Sequence, residues 1–150
     1  MVTPSPTPDT DALYAEAERV ILAANKLEEA YLLDADNKQY PPGLTEFFAD
    51  PYLEASKRDY ATIKGLGYRT PPGAEVRSRF QQAPEELDHD ADVAIRACRD
   101  TTDAPFIDEH GTVTSPGNLS LWVFLLKDFD GQLKLFGATA YGEVEQCPFE

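Results

Sequence analysis

The chain has 150 residues, with 13 lysines and arginines against 27 aspartates and glutamates, so its formal net charge is −14 at neutral pH. Nucleic acids and anionic membranes are bound by basic side chains, so this charge argues against a nucleic-acid-binding or lipid-surface-binding protein. The length suits one domain, and no apolar run of about 18 residues predicts a transmembrane segment.

The amino terminus is a tract rich in proline, serine and threonine. Residues 2–10 read Val-Thr-Pro-Ser-Pro-Thr-Pro-Asp-Thr. Such a composition has no apolar face to bury and favours an extended, solvated segment. It resembles the tether that follows the lipidated cysteine of bacterial surface lipoproteins; the alternative is an ordinary disordered terminus of a cytoplasmic protein. We therefore expect a tether at 1–10, attached to a lipid anchor in the native protein, and a single domain at 11–150.

Residues 11–33 have the periodicity of a long amphipathic helix. Apolar residues recur at spacings of three and four, at Leu13, Ala17, Val20, Ala24, Leu27 and Tyr31. Charged residues are predicted mostly on the opposite face, at Glu16, Glu18, Arg19, Lys26, Glu28 and Glu29. Asp9 or Thr10 would cap the start, because a side-chain oxygen there accepts free amide hydrogens of the first turn.

A second helix is predicted after the turn at Tyr40-Pro-Pro-Gly43 and a short helical segment at 44–49. The Asp50-Pro51 pair is typical of a helix start, since aspartate caps free amides and proline is tolerated in the first turn. Helical spacing then continues at Leu53, Ser56, Tyr60 and Ile63. The glycines in 65–67 end this helix.

Beyond Gly67 the apolar periodicity changes to two, which predicts strands. The alternation at 76–81 and at 93–98 indicates two strands. Residues 101–109 are predicted as loop or as a short strand around Phe106-Ile107. The pair His110-Gly111 is typical of a turn.

The strongest strand signal is a hairpin near the carboxyl terminus. Residues 119–126 are apolar on both faces of an extended chain, and alternation resumes at 133–141. Asp130-Gly131 lies between them, and Asp-Gly tolerates the positive φ angles of tight hairpin turns. Helices followed by four to six mostly antiparallel strands predict an α+β domain, with the helices packed on one curved sheet.

Candidate catalytic and metal-binding residues are few. Asp59, Asp92 and Arg96 lie on predicted helices or strands, but a solvent-facing charge explains each of them as simply. His110 is interpreted as a turn residue. The segment 88–92 lacks the glycine and the distal glutamate of a calcium loop. We therefore assign no catalytic residue and expect no metal site and no cofactor.

The two cysteines, Cys98 and Cys147, are too few for a disulfide-dense scaffold and lack zinc-ligand spacing. Their sequence leaves two alternatives open. They form one disulfide, or they are two unrelated buried thiols.

Five stretches together resemble a known superfamily. They are the helix from Asp11, the Tyr40-Pro-Pro-Gly43 linker, Val93-Ala-Ile-Arg-Ala-Cys-Arg-Asp100, Asp130-Gly-Gln-Leu-Lys-Leu135 and Cys147. In this order they resemble the nuclear transport factor 2-like superfamily, the cystatin-like cone, and more narrowly the secreted actinobacterial lipoproteins of that fold. The resemblance implies a sheet wrapped around the helices, a pocket at the open end of the cone, and a Cys98–Cys147 disulfide.

Aromatic residues on these elements are the candidates for lining such a pocket, although plain core packing explains an aromatic on a central strand equally well. They are Tyr31, Tyr60, Trp122 and Phe124. Enzymes of this superfamily use an aspartate or histidine base inside the cone, and none of their motifs maps onto this chain.

We therefore expect a non-enzymatic, extracytoplasmic domain of the cell envelope that binds a small apolar ligand or a protein partner. The alternatives are a dimerising assembly module, and a small lyase, isomerase or cyclase that acts on apolar molecules inside the cone. A cytoplasmic location is the alternative to the envelope.

Overall fold

A computed structural model describes residues 10–88 and 90–149 of the chain. The helices are α1 (Thr10–Leu32) and α2 (Tyr52–Gly65), with 3-10 helices at Pro42–Glu46 and Pro84–Glu86. The strands are β1 (Arg77–Gln82), β2 (Val93–Asp100), β3 (Phe106–Ile107), β4 (Val113–Ser115), β5 (Leu119–Phe129) and β6 (Gln132–Glu143). The predicted tether lies outside the described residues except for Thr10.

Four strands form one antiparallel sheet in the order β1-β2-β5-β6, and β3 pairs with β4 in a separate two-stranded sheet. Residues of both helices and of the main sheet contribute to a single hydrophobic core. The predicted α+β class is therefore confirmed, with two helices packed on a four-stranded antiparallel sheet.

The core lies between α1 and alternate residues of the central strands. On β2, Val93, Ile95 and Ala97 are buried, and Ile95 is paired in register with Phe124 of β5. A strand presents every second residue to one face, so Arg99 points to the same side of the sheet as Ile95. This alternation places Arg99 on the face of the sheet that packs against α1.

The segment between the helices is attached to the sheet edge by main-chain hydrogen bonds. Ala49 N–H donates to the Leu135 carbonyl at 2.9 Å, and Leu135 N–H donates to the Phe47 carbonyl at 2.8 Å. Between these two bonds, Phe48 is buried in the core. The linker thus acts as a short extension of the sheet beside β6.

The predicted hairpin is present, and its turn has the expected geometry. Asp130 has φ 56° and Gly131 has φ 89°, and the two residues join β5 directly to β6. Asp128 also accepts the Gly131 N–H at 2.6 Å, which closes the turn.

The predicted helix boundaries differ from the observed ones by small amounts. The expected short helix at 44–49 is a 3-10 helix over Pro42–Glu46, and α2 begins at Tyr52 rather than at Pro51. Asp50 nevertheless acts on the first turn, because its Oδ1 accepts the Glu54 N–H at 3.2 Å. Within the described ranges, neither helix is long and apolar enough to cross a membrane.

A disulfide joins Cys98 of β2 to Cys147 of the carboxyl-terminal tail, with the two Cα atoms 5.8 Å apart. Closing a 49-residue separation stabilises the fold by about 4 kcal/mol in the loop-entropy model. Cys98 and Arg99 are neighbours on one strand, so their side chains point to opposite faces of the sheet. The disulfide therefore fixes the carboxyl-terminal end of β2 from its outer face. Arg99 lies at the same end of the strand, on the inner face.

Candidate functional site

A cavity of about 280 Å³, here called the main cleft, opens beside the last turns of α1. Its apolar wall consists of Leu32, Val76, Ala104 and Phe106. Polar side chains from three other places also line it, namely Tyr60, Thr70 and Arg99. The main cleft thus combines an apolar wall with a few converging polar groups, which is the usual composition of a small-molecule site.

A smaller cavity of about 40 Å³, the inner recess, is lined by many of the same residues and extends toward α1. It adds three polar residues of that helix, Asn25, Glu28 and Glu29. Asn25, Glu28 and Leu32 are spaced by three and four residues, so they form one stripe on the helix surface. This stripe continues the buried apolar face of α1 and places polar groups where the core ends.

Glu28 lies between α1 and α2. Part of its side chain reaches the surface, but the carboxyl group lies in the interior, where the Tyr60 hydroxyl donates a hydrogen bond to Oε2. Burial raises the pKa of Glu28 from 4.5 to about 7, the attraction of Arg99 opposes this rise, and the repulsion of Glu29 adds to it. A carboxyl group with this pKa is able to take up or release a proton near neutral pH.

Three buried polar atoms around the recess have no hydrogen-bond partner among residues 10–88 and 90–149. They are Asn25 Nδ2, Thr70 Oγ1 and Arg99 Nε. Buried polar groups are nearly always paired with protein or water, so three unpaired atoms around one cavity indicate capacity for a bound group. Glu29 differs from them, because its Oε1 accepts the Val76 N–H at 3.1 Å.

Two other tyrosines, Tyr31 and Tyr40, hold the Tyr60 ring in place. Tyr31 and Tyr60 meet edge to face with ring centroids 5.6 Å apart, and Tyr40 lies 6.1 Å from Tyr60. Tyr40 is itself held by a 2.9 Å hydrogen bond between its hydroxyl and Ser56 Oγ. The tyrosine cluster therefore fixes the hydroxyl that contacts Glu28.

Lys64 of α2 fixes the end of α1. Its side chain is only 2% exposed, and its ammonium group donates to the main-chain carbonyls of Tyr31 and Asp34. These carbonyls belong to the last turn of α1 and the residues just after it, where carbonyl groups lack partners within the helix and attract a cation. Burial lowers the pKa of Lys64. The lysine ties the two helices together next to the main cleft.

The rim of the main cleft is built from two loop segments in close contact. Thr101 N–H donates to the Asn118 carbonyl at 2.8 Å, and Asn118 N–H donates to Thr101 Oγ1 at 3.0 Å. A Cβ atom at Gly117 would lie 1.7 Å from the Thr101 carbonyl oxygen. Only glycine therefore permits this approach of the two segments.

A second cavity of about 230 Å³ lies on the other side of Tyr60, with Glu28 and Arg99 lining it as well. Its remaining wall includes Trp122 and Tyr52, and burial raises the pKa of Tyr52. Tyr60 and Arg99 thus line both this cavity and the main cleft, and Glu28 lines this cavity and the inner recess.

Of the four aromatic residues predicted to line one pocket, Tyr60 and Trp122 both line the second cavity, and Tyr60 also lines the main cleft. The Trp122 ring stacks on Phe124 with centroids 5.9 Å apart. Phe124 itself is buried in the core at 2% exposure. Tyr31 is also buried and borders a shallow groove with Leu27.

The charged residues weighed for chemistry lie away from the main cleft. Arg96 points to the opposite face from Arg99 and donates to Glu85 at 2.6 Å. Asp92 accepts the Asp128 N–H at 2.8 Å. Asp59 is exposed at the edge of the second cavity.

His110 lies in the expected turn, where its N–H donates to Asp108 Oδ1 at 2.9 Å. The acidic segment 88–92 is described except for residue 89. In the described part of the chain, no three histidine, cysteine, aspartate or glutamate side chains are grouped to hold a metal ion.

Sequence reasoning missed Glu28, Arg99, Asn25 and Thr70. Two of these had a signal: Glu28 follows Ala24 by four residues, and Arg99 follows Ile95 and Ala97 at the strand period. Both occupy positions that continue a buried periodicity. Glu28 was predicted on the charged face of the helix, and Arg99 was not considered as a site residue. Thr70 lies in an irregular segment whose periodicity carries no signal.

Comparison with known proteins assigns no relative to this arrangement, because no protein-family model matches the chain and no curated protein matches it significantly.

Proposed function

We propose that this protein is a non-enzymatic, extracytoplasmic binding domain of the nuclear transport factor 2-like type, tethered at the cell envelope, and that it holds a small, largely apolar molecule in the main cleft. One observation carries the proposal: an apolar-walled cavity of about 280 Å³ with three unpaired buried polar atoms around its inner end. A ligand that fills the cavity would bury apolar area and also satisfy these atoms.

The disulfide supports a location outside the cytoplasm. Cys98 and Cys147 are joined, and structural disulfides form and persist mainly in oxidising compartments. The proline-rich amino terminus is compatible with a tether between this domain and a lipid anchor.

The superfamily assignment rests on the order of elements. Long helix, linker and second helix precede an antiparallel sheet that ends in a tight hairpin, as the resemblance implies. Because one fold hosts enzymes, binders and assembly modules alike, the function is argued from the cleft and not from this resemblance.

Native mass spectrometry of the protein purified from an oxidising compartment tests the binding function. We expect a co-purified small molecule on the wild type, and its loss in Ala104→Trp, which places a large ring inside the main cleft. Ala61→Trp, on the exposed side of α2, is the matched control and keeps the adduct. A wild type that carries no adduct and binds no member of a small-molecule library would refute the proposal.

A small lyase, isomerase or cyclase is the second candidate, and Glu28 is the observation that favours it. A carboxyl group with a pKa of about 7 beside a tyrosine hydroxyl is suited to general acid–base catalysis at neutral pH. Incubating the identified ligand with the protein distinguishes the two functions. Chemical conversion that is lost in Glu28→Gln indicates an enzyme, whereas an unchanged ligand indicates a binding domain.

A further inference from the structure

The unpaired polar groups of the inner recess are hydrogen-bond donors. Asn25 and Thr70 are 8% and 5% exposed, and both line the recess with Arg99. A guanidinium Nε–H and an amide NH₂ only donate hydrogen bonds, and a threonine hydroxyl is able to donate. The three unpaired atoms therefore form a set of hydrogen-bond donors that a bound acceptor would satisfy.

One oxygen of each nearby carboxylate is already bonded to a protein donor. Oε2 of Glu28 accepts from the Tyr60 hydroxyl, and Oε1 of Glu29 accepts from the Val76 N–H. These contacts leave the three donors around Arg99 unpaired, so a bound molecule that carries an acceptor group would satisfy them.

We propose that the main cleft binds a small organic monocarboxylate whose two oxygens accept hydrogen bonds from Arg99, Asn25 and Thr70. A carboxylate offers about four acceptor sites on two oxygens and pairs well with a guanidinium group. The apolar body of the ligand lies along the wall that includes Leu32 and Phe106. This inference rests on the proposed binding function and specifies its ligand.

Glu28 makes the binding depend on pH. When ionised, Glu28 compensates the charge of Arg99, and an incoming carboxylate has to share the same cation. When protonated, Glu28 leaves Arg99 free for the ligand, and burial already brings the pKa of Glu28 to about 7. Binding of the carboxylate is therefore coupled to uptake of a proton by Glu28.

The other ionisable groups that face Glu28 come from β2, the linker, α1 and α2. Arg99 of β2 attracts the Glu28 carboxylate. Tyr40 from the linker and Tyr52 of α2 have pKa values raised by burial, away from neutral pH. Tyr60 of α2 donates to Glu28, and Glu29 of α1 is the remaining neighbouring charge.

Isothermal titration calorimetry with benzoate, benzamide and benzyl alcohol tests the ligand class at about pH 6. We expect benzoate to bind at least about tenfold more tightly than the two neutral analogues, since hydrogen bonds to a charged group are the stronger ones. Equal affinity for all three overturns the carboxylate inference and leaves the binding function intact. Absence of binding by all three overturns the carboxylate inference, and the binding function is then decided by the mass spectrum of the wild type.

Two conservative substitutions locate the acceptor. Thr70→Val removes the hydroxyl at nearly constant volume, and Arg99→Lys keeps the charge but removes Nε. Each is expected to weaken benzoate binding by about tenfold and to leave benzyl alcohol unaffected. Thr62→Val and Arg79→Lys, at exposed positions, are the matched controls and bind as the wild type does. Wild-type benzoate affinity in both recess variants overturns the proposal.

The pH dependence of benzoate binding distinguishes a role of Glu28 in ligand binding from a purely structural role of this residue. Above about pH 7, the dissociation constant for benzoate is expected to rise about tenfold per pH unit in the wild type. In Glu28→Gln, which carries no charge at position 28, the same constant stays nearly independent of pH. A wild-type affinity that does not change between about pH 6 and about pH 8.5 overturns the coupling to Glu28.

Discussion

The two ends of α1 face the same sheet but in different ways. The first four turns are packed against the sheet mainly through apolar side chains, and the buried residues there include Ala17, Val20, Ile21 and Ala24. The last two turns place Asn25 and Glu28 opposite Arg99, beside a cavity. The helical period and the strand alternation continue unchanged from one end to the other.

The difference shows that one packing geometry serves two purposes, depending on the residue type at the inward positions. Where these positions are apolar, burial stabilises the fold. Where they are polar, the same burial leaves donors unpaired and shifts a pKa, which costs stability and creates a place for a ligand. We call these regions the apolar end and the polar end of α1.

The largest expected effect is at the apolar end. Ile21→Ala removes most of a buried side chain of α1 from the core and is expected to lower the free energy of unfolding by about 4 kcal/mol. Urea denaturation measures this loss. Leu66→Ala, at a position 58% exposed, is the control and should change stability by less than about 0.5 kcal/mol. Similar losses in both variants would contradict the assignment of the apolar end as the stabilising region.

At the polar end, stability is expected to depend on pH through Glu28. The native pKa exceeds the unfolded one, so the native state binds the proton more tightly, and stability from this group is complete below about pH 4.5 and lost as pH rises through about 7. A rise in pKa from 4.5 to about 7 corresponds to roughly 3 kcal/mol.

Urea denaturation of the wild type and Glu28→Gln, between about pH 4.5 and about pH 8, measures this difference. Relative to the variant, the wild type should lose most of that stability as the pH rises. Glu109→Gln, with an exposed side chain, serves as the control and should follow the wild-type curve. Parallel curves for Glu28→Gln and the wild type would exclude a raised pKa.

An intermediate effect is expected where Lys64 ties the polar end of α1 to α2. Lys64→Met keeps the length of the side chain but removes the donors to the Tyr31 and Asp34 carbonyls. We expect a loss of about 2 kcal/mol in thermal or chemical unfolding, because the Tyr31 carbonyl loses its side-chain donor and the Asp34 carbonyl keeps only the Asn37 N–H. Lys26→Met, on the exposed face of α1, should be nearly neutral. A Lys64→Met protein as stable as the wild type would show that the lysine adds no net stability.

The smallest effect is expected for the hydroxyl of Tyr60. Tyr60→Phe removes the donor to Glu28 and should cost about 1 kcal/mol above the pKa of Glu28, while raising that pKa further. Carbon-detected NMR titration of the Glu28 carboxyl group measures the change. In the control Tyr141→Phe, an exposed tyrosine loses its bond to Glu86, and we expect no effect on Glu28. An unchanged titration curve in Tyr60→Phe would argue against the contact.

Sequence alone was sufficient where local chemistry determines the structure. Asp130-Gly131 predicted a tight hairpin because few other pairs accept two positive φ angles, and both angles are observed. The helical spacing of apolar residues likewise predicted α1 to within one residue at each end.

The polar end was not predictable in the same way. Glu28 meets Tyr60 from a helix 32 positions later, and Lys64 reaches carbonyls 30 and 33 positions earlier. A charged residue is usually exposed, so its burial depends on partners that only the folded chain brings together. The periodicity identified the inward-facing positions, but the tertiary contacts determine whether a charged side chain at such a position is buried.

Gly117 has a consequence for tracing the history of this protein. Any side chain at this position would collide with the Thr101 carbonyl, so a descendant that keeps the rim must keep glycine. In a homologous sequence, glycine at this position together with arginine at position 99 would indicate that the cleft is kept, even where overall identity is low. Loss of both the glycine and the arginine would indicate a homologue that keeps the sheet but not the cleft.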